Sequence, residues 1–426
     1  MGFQQGLSGL NAASKNLDTI GNNVSNSGTV GFKASQAQFA DVYANSLTGA
    51  GGLQIGIGTQ VSSVVQQFTQ GNVTTSNNPL DLAINGKGFY RISDNGTIAY
   101  ARNGQFQLDK DGFIVTSSGK NLTGYAANAA GVITPGSITN MQVTTANLPP
   151  SVTTTANIGV NLDSRASVVT ATPFDPTVTT SYTTSTAMTV YDALGNAQTL
   201  GVYFAKTAAN TWDVYGTVTN PAGDVTILNA TPATTPTGTP TAVTSLGTLT
   251  FSASTGALAS STVTLPAITS TMLGTGATAI ASFLPSFTGS TQYGSSFGVS
   301  ALTQNGYASG RTTGFGIDAD GILQARYSNG QSLNLGQVVL ADFKNPQGLQ
   351  PLGNNLWAET AASGQPIPGA PGTSSLGVLQ SSAVEDSNVD LTQELVNMIT
   401  AQRSYQANAQ TIKTQDQVLQ TLVNLR

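Results

Sequence analysis

Two narrow apolar stripes at opposite ends of the chain constrain its fold more than any other feature. In the first, Phe3, Leu7, Leu10, Leu17 and Val24 fall on a 4-3 alternation, with Ser14 and Gly21 in the two remaining seam positions. The second runs through Leu391, Leu395, Met398, Gln402, Tyr405, Ala409, Ile412, Asp416, Leu419 and Val423, eight of ten positions being apolar. No proline precedes Pro79 or follows Pro371, so both ends are free to be helical. Ser387 or Asn388 is expected to cap the second helix. Asp390 and Glu394 suit its N-terminal dipole, and Arg426 its C-terminus. Roughly 35 to 40 residues at 1.5 Å rise make about 55 to 60 Å, longer than one globular domain covers. The two stripes are therefore expected to pack on each other and on neighbouring chains, and to be largely disordered before assembly. Ordinary core-facing helices are the reading that periodicity alone leaves open.

The interior reads differently. From about Asn72 to Tyr125 the apolar residues have period two, as in Leu80–Ile84 and Phe89–Ile92. These runs are separated by Asn85-Gly86, Asn95-Gly96, Asn103-Gly104 and Asp111-Gly112, which are hairpin signals. A related block returns at Phe315-Gly-Ile317, Asp320-Gly321, Asn329-Gly330 and Gln337–Phe343. Between them, Ala146 to Ser300 is rich in Thr, Ser and Ala, and Val225 to Gly310 has no charged residue. Aromatic-bearing runs such as Leu200–Phe204 and Thr211–Tyr215 point to a packed sheet there rather than a disordered stalk.

The expected architecture is multidomain and mainly β, with long terminal α-helices and nested, discontinuous β-domains. Residues 1–26 and 388–426 are expected to form a helical coiled-coil domain, 72–145 and 301–351 a discontinuous β-domain, and 146–300 an inserted β-domain.

Composition removes whole classes of chemistry. The chain has neither Cys nor His, which excludes disulfides, thiolate metal sites, Ser-His-Asp hydrolysis and imidazole acid/base work. Charged residues make up 8% of the chain, and no Lys/Arg cluster could neutralise a run of phosphates, so nucleic acid is not an expected partner. No run of 18 apolar residues predicts a membrane span, and Met1 to Val30 lacks the basic-then-apolar pattern of a cleaved leader. Ser117-Ser-Gly-Lys120 and Ser93-Asp-Asn95 match pieces of a penicillin-binding signature, but in reversed order and without its third element. Asp109–Gly112 and Asp318–Gly321 fall short of calcium-loop spacing. The glycine-rich run Gly49–Gly58 lacks the Lys-Ser/Thr ending of a phosphate loop and reads as a flexible connection. No catalytic, cofactor or metal residues are assigned.

The runs Leu7-Ser-Gly-Leu-Asn-Ala-Ala13, Asn16-Leu-Asp-Thr-Ile-Gly-Asn-Asn-Val-Ser-Asn26 and Thr29-Val-Gly-Phe-Lys33 resemble the opening of bacterial flagellar rod and hook proteins. Ser387-Asn-Val-Asp-Leu391, Glu394-Leu-Val-Asn-Met-Ile399 and Ala401–Gln417 resemble that family's closing helix. Asn103–Phe106, Leu122–Tyr125, Val190–Asn196 and Val202–Lys206 look like its hook segments, and the likeness weakens between about Ala208 and Ser300.

The resemblance implies a non-enzymatic, extracellular subunit of a helical homopolymer, with the terminal helices lining a tube, residues 27–71 and 352–387 as connectors, and the β-domains stacked outward, 146–300 outermost. The implied partners are rod, hook-cap and hook-filament junction proteins. Export would run through the flagellar type III apparatus, with Phe3-Gln-Gln-Gly-Leu7 resembling the family's export segment. The expected assembly residues are Phe3, Leu7, Leu10, Leu17, Val24, Leu391, Leu395, Met398, Tyr405, Ile412, Leu419 and Val423, and the family-motif residues Asn22, Asn23, Gly31, Phe32 and Lys33. A distal-rod protein and a β-rich surface adhesin are the alternatives, separated from a hook subunit by polymer curvature and by monomeric ligand binding respectively.

Overall fold

The computed structural model describes residues 2–42, 56–144, 146–231 and 242–424. The part of the glycine-rich connection up to Ile55 lies outside them, as does Arg426. The described chain runs from an N-terminal helix, Gly2–Ser25, through a long series of strands to a C-terminal helix, Leu391–Asn424. It divides into two compact units: Met1–Thr145 with Thr313–Arg326 and Ser332–Arg426, and Ala146–Thr312 with Tyr327–Gln331.

The first unit is built on an antiparallel sheet whose strands run Ser332–Val338, Asn121–Ala127, Phe89–Asp94, Thr97–Ala101, Leu356–Ala358 and Gln350–Gly353 in spatial order. Leu356–Ala358 falls inside the stretch expected to be a connector, and here it pairs with Thr97–Ala101. Successive strand residues point to opposite faces, so each strand feeds two cores. Tyr90, Ile92, Ala99, Ala101, Leu340 and Leu356 enter one core. Their neighbours Phe89, Tyr100, Ala341 and Trp357 enter the other, with Phe343 and Leu349. The second core is largely aromatic. Tyr100 and Phe343 meet edge to face at 4.8 Å, and Phe68 touches Phe89 at 5.4 Å and Trp357 at 5.6 Å, the geometry that ring quadrupoles favour. The hairpin between Asp94 and Thr97 turns on Asn95 and Gly96 alone, both at positive φ, as a two-residue turn of this hand requires.

A separate two-stranded ribbon, β1 (Ser35–Val42) paired with β2 (Gly58–Gln66), follows the N-terminal helix. Gln5 Nε2 donates to Gly56 O at 2.7 Å, and Thr59 N to Ser8 Oγ at 3.3 Å, fastening the ribbon to that helix. A ribbon of two strands is marginal by itself, and these ties to the helix supply support the ladder alone lacks.

The second unit holds a six-stranded sheet, with Thr184–Tyr191, Ala197–Ala208, Thr211–Thr219, Gly247–Phe251 and Leu258–Ser261 in order and Val225–Ile227 beside the third. A three-stranded sheet is centred on Ala156–Asp163. Alternate residues of both sheets, including Ile158, Val160, Leu200, Val202, Phe204 and Trp212, converge in one core. The Thr-rich sequence therefore folds by placing Val, Leu and aromatic residues on one face and hydroxyls on the other, as in the Thr250–Ser260 pair at 2.6 Å. Where the chain enters and leaves this unit, Leu148 bridges Gly310 and Ser151 bridges Tyr307.

Candidate assembly site at the chain termini

The two terminal helices pack antiparallel: Gly6 lies against Asn408 and Ile412, while Asn23 Nδ2 donates to Glu394 Oε1 at 3.2 Å. The contact face is one residue out of step with the expected stripe. Gly6, Ala13, Ile20 and Asn23 are buried, with Ala12 beside them and Ala401 opposite. Small side chains at these positions let the backbones approach closely, which large ones would prevent. The expectation that the two apolar stripes meet each other is thereby corrected for the N-terminal helix, which turns its neighbouring glycine and alanine face to the C-terminal helix and receives Asn408 and, from the expected stripe, Ile412 there.

The stripes themselves are only partly covered. Phe3 (47% exposed) and Leu7 are exposed, and Leu10, Leu17 and Val24 are half-buried. On the other helix Leu391, Leu395 and Tyr405 are exposed, Met398 and Ile412 half-buried, and Leu419 and Val423 54% and 74% exposed. The C-terminal helix has 34 residues, about 50 Å at 1.5 Å per residue. Since Gly6 already lies opposite Ile412, its last turns run past the start of the N-terminal helix.

The cap of the C-terminal helix also differs from expectation. Asp390 Oδ1 accepts from Thr392 N at 2.9 Å and Gln393 N at 3.1 Å. Asn388 is occupied elsewhere: its Oδ1 accepts from Ala34 N at 2.7 Å, and its Nδ2 donates to Gln67 O at 2.7 Å. Ser387 Oγ accepts only from Val389 N, ahead of the helix, at 3.3 Å.

Beneath this joint lies an ionic clasp. Lys33 Nζ is 2.6 Å from Glu385 Oε1, and Arg102 is 3.3 Å from Glu385 Oε2. The Lys33 and Glu385 side chains are 0% and 1% exposed, and Arg102 is 4% exposed. Lys33 also donates to Thr69 O at 2.8 Å, and Gly71 N to Glu385 Oε1 at 2.9 Å. Arg102 donates to Gly86 O at 2.7 Å. Burial pulls the Lys33 ammonium below its ordinary value, with the Glu385 carboxylate only partly opposing it, and burial likewise lowers Arg102. Removing one partner from a buried pair of this kind costs roughly 3–5 kcal/mol, because the other charge is left uncompensated.

The clasp gives the family-motif residues a physical reason. Gly31 sits at φ +71°, its N–H donating to Glu385 O at 2.8 Å, and a Cβ there would lie 2.5 Å from Asn103 N. Asn23 is buried; its amide accepts from Ser35 N and donates to Ser35 O, both at 2.8 Å, a two-point bond between the N-terminal helix and β1. Asn22 is exposed and accepts from Asn26 Nδ2; Phe32 is half-buried. Sequence reasoning missed Arg102, Glu385 and the bridging role of Asn388. Glu385 was visible only as a carboxylate in a charge-poor chain.

The remaining motif candidates are turns. Lys120 pairs with Asp94 at 2.8 Å across adjacent hairpins, which accounts for the nearness of the two penicillin-binding-like fragments, and Ser117 is exposed in its turn. Asp109 Oδ1 accepts from Asp111 N and Phe113 N, and Asp318 Oδ1 from Ile322 N. Among the described residues there is no cluster of metal-ligating side chains, and no helix long and apolar enough to cross a membrane.

Comparison with known proteins covers the chain from end to end. Residues 3–33 match the family described as flagella basal body rod protein, and 83–161 the flagellar hook protein FlgE/F/G D1 domain. Residues 161–307 match the flagellar basal body protein FlaE D2 domain, and 380–425 the flagellar basal body rod FlgEFG protein C-terminal. The flagellar hook protein FlgE of Escherichia coli (strain K12) is 42% identical over 434 residues, and that of Salmonella typhimurium 43% over 430, each alignment spanning 100% of both chains. The crystal structure of Helicobacter pylori flagellar hook protein FlgE2 shares the fold, with a TM-score of 0.53 at 15% identity over 73% of this chain and 100% of that one. Identity at this level over the full length places the chain in the bacterial flagellar hook protein family.

Proposed function

We propose that this chain is a structural, non-enzymatic subunit of the flagellar hook, and that it polymerises through its terminal helices into a bendable tube that carries torque and lets export substrates pass. The observation that carries this reading is the partly uncovered apolar stripe on each helix: the chain satisfies its own helix pair with small residues and leaves Phe3, Leu7, Leu391, Leu395, Leu419 and Val423 in water. Burying what remains exposed of such side chains is worth roughly 1 kcal/mol each, and neighbouring copies supply the cover. Asn23, Gly31 and Lys33 set the joint that aims the helices. The inner helical layer comprises residues 1–26 and 388–426, and the β-rich layers lie outside it.

The weakly charged outer surface suits adjustable contacts. Fixed ion pairs hold one register, whereas wet hydroxyl and amide contacts shift at little cost. Rod, cap and junction proteins at the ends of the tube, and a type III export apparatus, are the partners this role requires. Electron microscopy of the purified chain tests the reading: short curved tubes are expected from the full chain and none from a chain lacking residues 391–426. Straight, stiff polymers would favour a rod role, and a monomer that assembles under no condition would refute both. Deleting residues 146–312 is expected to leave assembly intact and alter curvature.

A further inference from the structure

We propose that Lys33, Arg102 and Glu385 form a latch that makes ordering of the N-terminal and C-terminal segments mutually dependent. The three charges arrive on three different parts of the chain. Lys33 follows the N-terminal helix, Glu385 precedes the C-terminal helix, and Arg102 follows the strand Thr97–Ala101 of the large sheet. If only the N-terminal segment docks, Lys33 and Arg102 face one another without the Glu385 carboxylate that they share. If only the C-terminal segment docks, Glu385 Oε1 loses the Lys33 ammonium from a site closed to water. With both in place the two cations share the Glu385 carboxylate, one on each oxygen, so the half-docked states are disfavoured by desolvation and like-charge repulsion.

The backbone around the latch couples the same segments. Gly31 N donates to Glu385 O and Asp386 N to Asn72 O, both at 2.8 Å, and Val73–Thr75 pairs with Ala383–Glu385. The amides of Gly31 and Gly71 therefore report on the N-terminal side of the latch. The amides of residues 383–390 report on the C-terminal side. None of the latch residues belongs to the exposed apolar stripes, so latch and assembly surface can be perturbed by separate substitutions.

Hydrogen–deuterium exchange on the full chain tests it. Lys33→Met is expected to raise exchange of residues 383–390 at least tenfold, and Glu385→Gln to do the same for residues 27–36 and 67–72, while the strands Phe89–Asp94 and Asn121–Ala127 keep their protection. The double variant should be no worse than the more severe single one, since both break one unit. Should Lys33→Met fail to fold, Lys33→Gln, which can still donate to Thr69 O, gives the same readout. Three results would overturn the proposal: exchange rising only next to the substituted residue, a uniform rise through the sheet, or additive effects in the double variant.

Discussion

A Cβ atom on Gly9 would lie 2.7 Å from Oδ1 of Asn408, the side chain facing it across the helix pair. The obstruction is the end of a flexible side chain rather than backbone, so its consequence depends on the size of the substituent. Gly9→Ala gains about 1 kcal/mol of helix propensity while displacing one half-buried amide, and is expected to leave thermal stability nearly unchanged. Gly9→Leu has no such accommodation. It should separate the helices and abolish tube formation in a sedimentation assay, with the melting of the second unit unaltered.

Gly31 offers the opposite case. Its φ of +71° and the backbone of Asn103 at 2.5 Å from a would-be Cβ leave no room for relaxation. Gly31→Ala is expected to destabilise the first unit by roughly 2–4 kcal/mol. Gly28→Ala, whose Cβ would meet nothing within 4 Å, should cost under about 0.5 kcal/mol. Calorimetry of the two variants separates them.

Exposed and buried apolar residues of the terminal helices should respond in different assays. Leu395→Asn and Leu419→Asn, both at exposed positions, are expected to change monomer stability by less than about 0.5 kcal/mol yet prevent polymerisation. Ile20→Ala, at a position 5% exposed, should cost roughly 2–4 kcal/mol, visible in the melt of the free chain. A Leu419→Asn chain that still forms tubes would count against the assembly surface proposed above.

Asp192 links the second unit to pH. Burial by itself would raise its carboxyl pKa. The hydroxyl of Thr275 at 2.7 Å, the Asn196 amide side chain and the backbone N–H groups of Asn196 and Leu194, both at 2.9 Å, together hold it below the ordinary 3.8. A depressed carboxylate contributes stability that is present above pH 3.8 and lost as pH falls through the lower folded value. Asp192→Asn should therefore lower the melting temperature at pH 7 and show a shallower decline below pH 4 than the parent chain.

The sequence made the large-scale order of elements legible because period two and the 4-3 alternation are written in bulky side chains, which hydropathy reads well. It did not reveal which face of the terminal helices meets which. Gly6, Gly9 and Ala13 carry little hydropathic weight, yet close backbone approach depends on them. Turn chemistry was only partly readable. Asn95-Gly96 makes the two-residue hairpin its composition predicts, whereas Asn103-Gly104 does not: Gly104 O accepts from Leu82 N in a crossing of distant segments. The helix cap was misplaced onto Asn388 because its partners Ala34, Gln67 and Thr69 are remote in sequence. The clasp was unreadable for the same reason, since no local pattern distinguishes Glu385 from a solvated carboxylate.

The bridges Leu148–Gly310 and Ser151–Tyr307 mean that residues 148–310, the bulk of the second unit, begin and end at one place. To the remainder of the polypeptide it is a cassette with two adjacent leads. Sequence can be gained, lost or exchanged between those leads while the chemistry at the chain extremities stays as it is. Relatives can thus diversify this stretch, and engineers can graft foreign modules, wherever the incoming piece has similarly close termini.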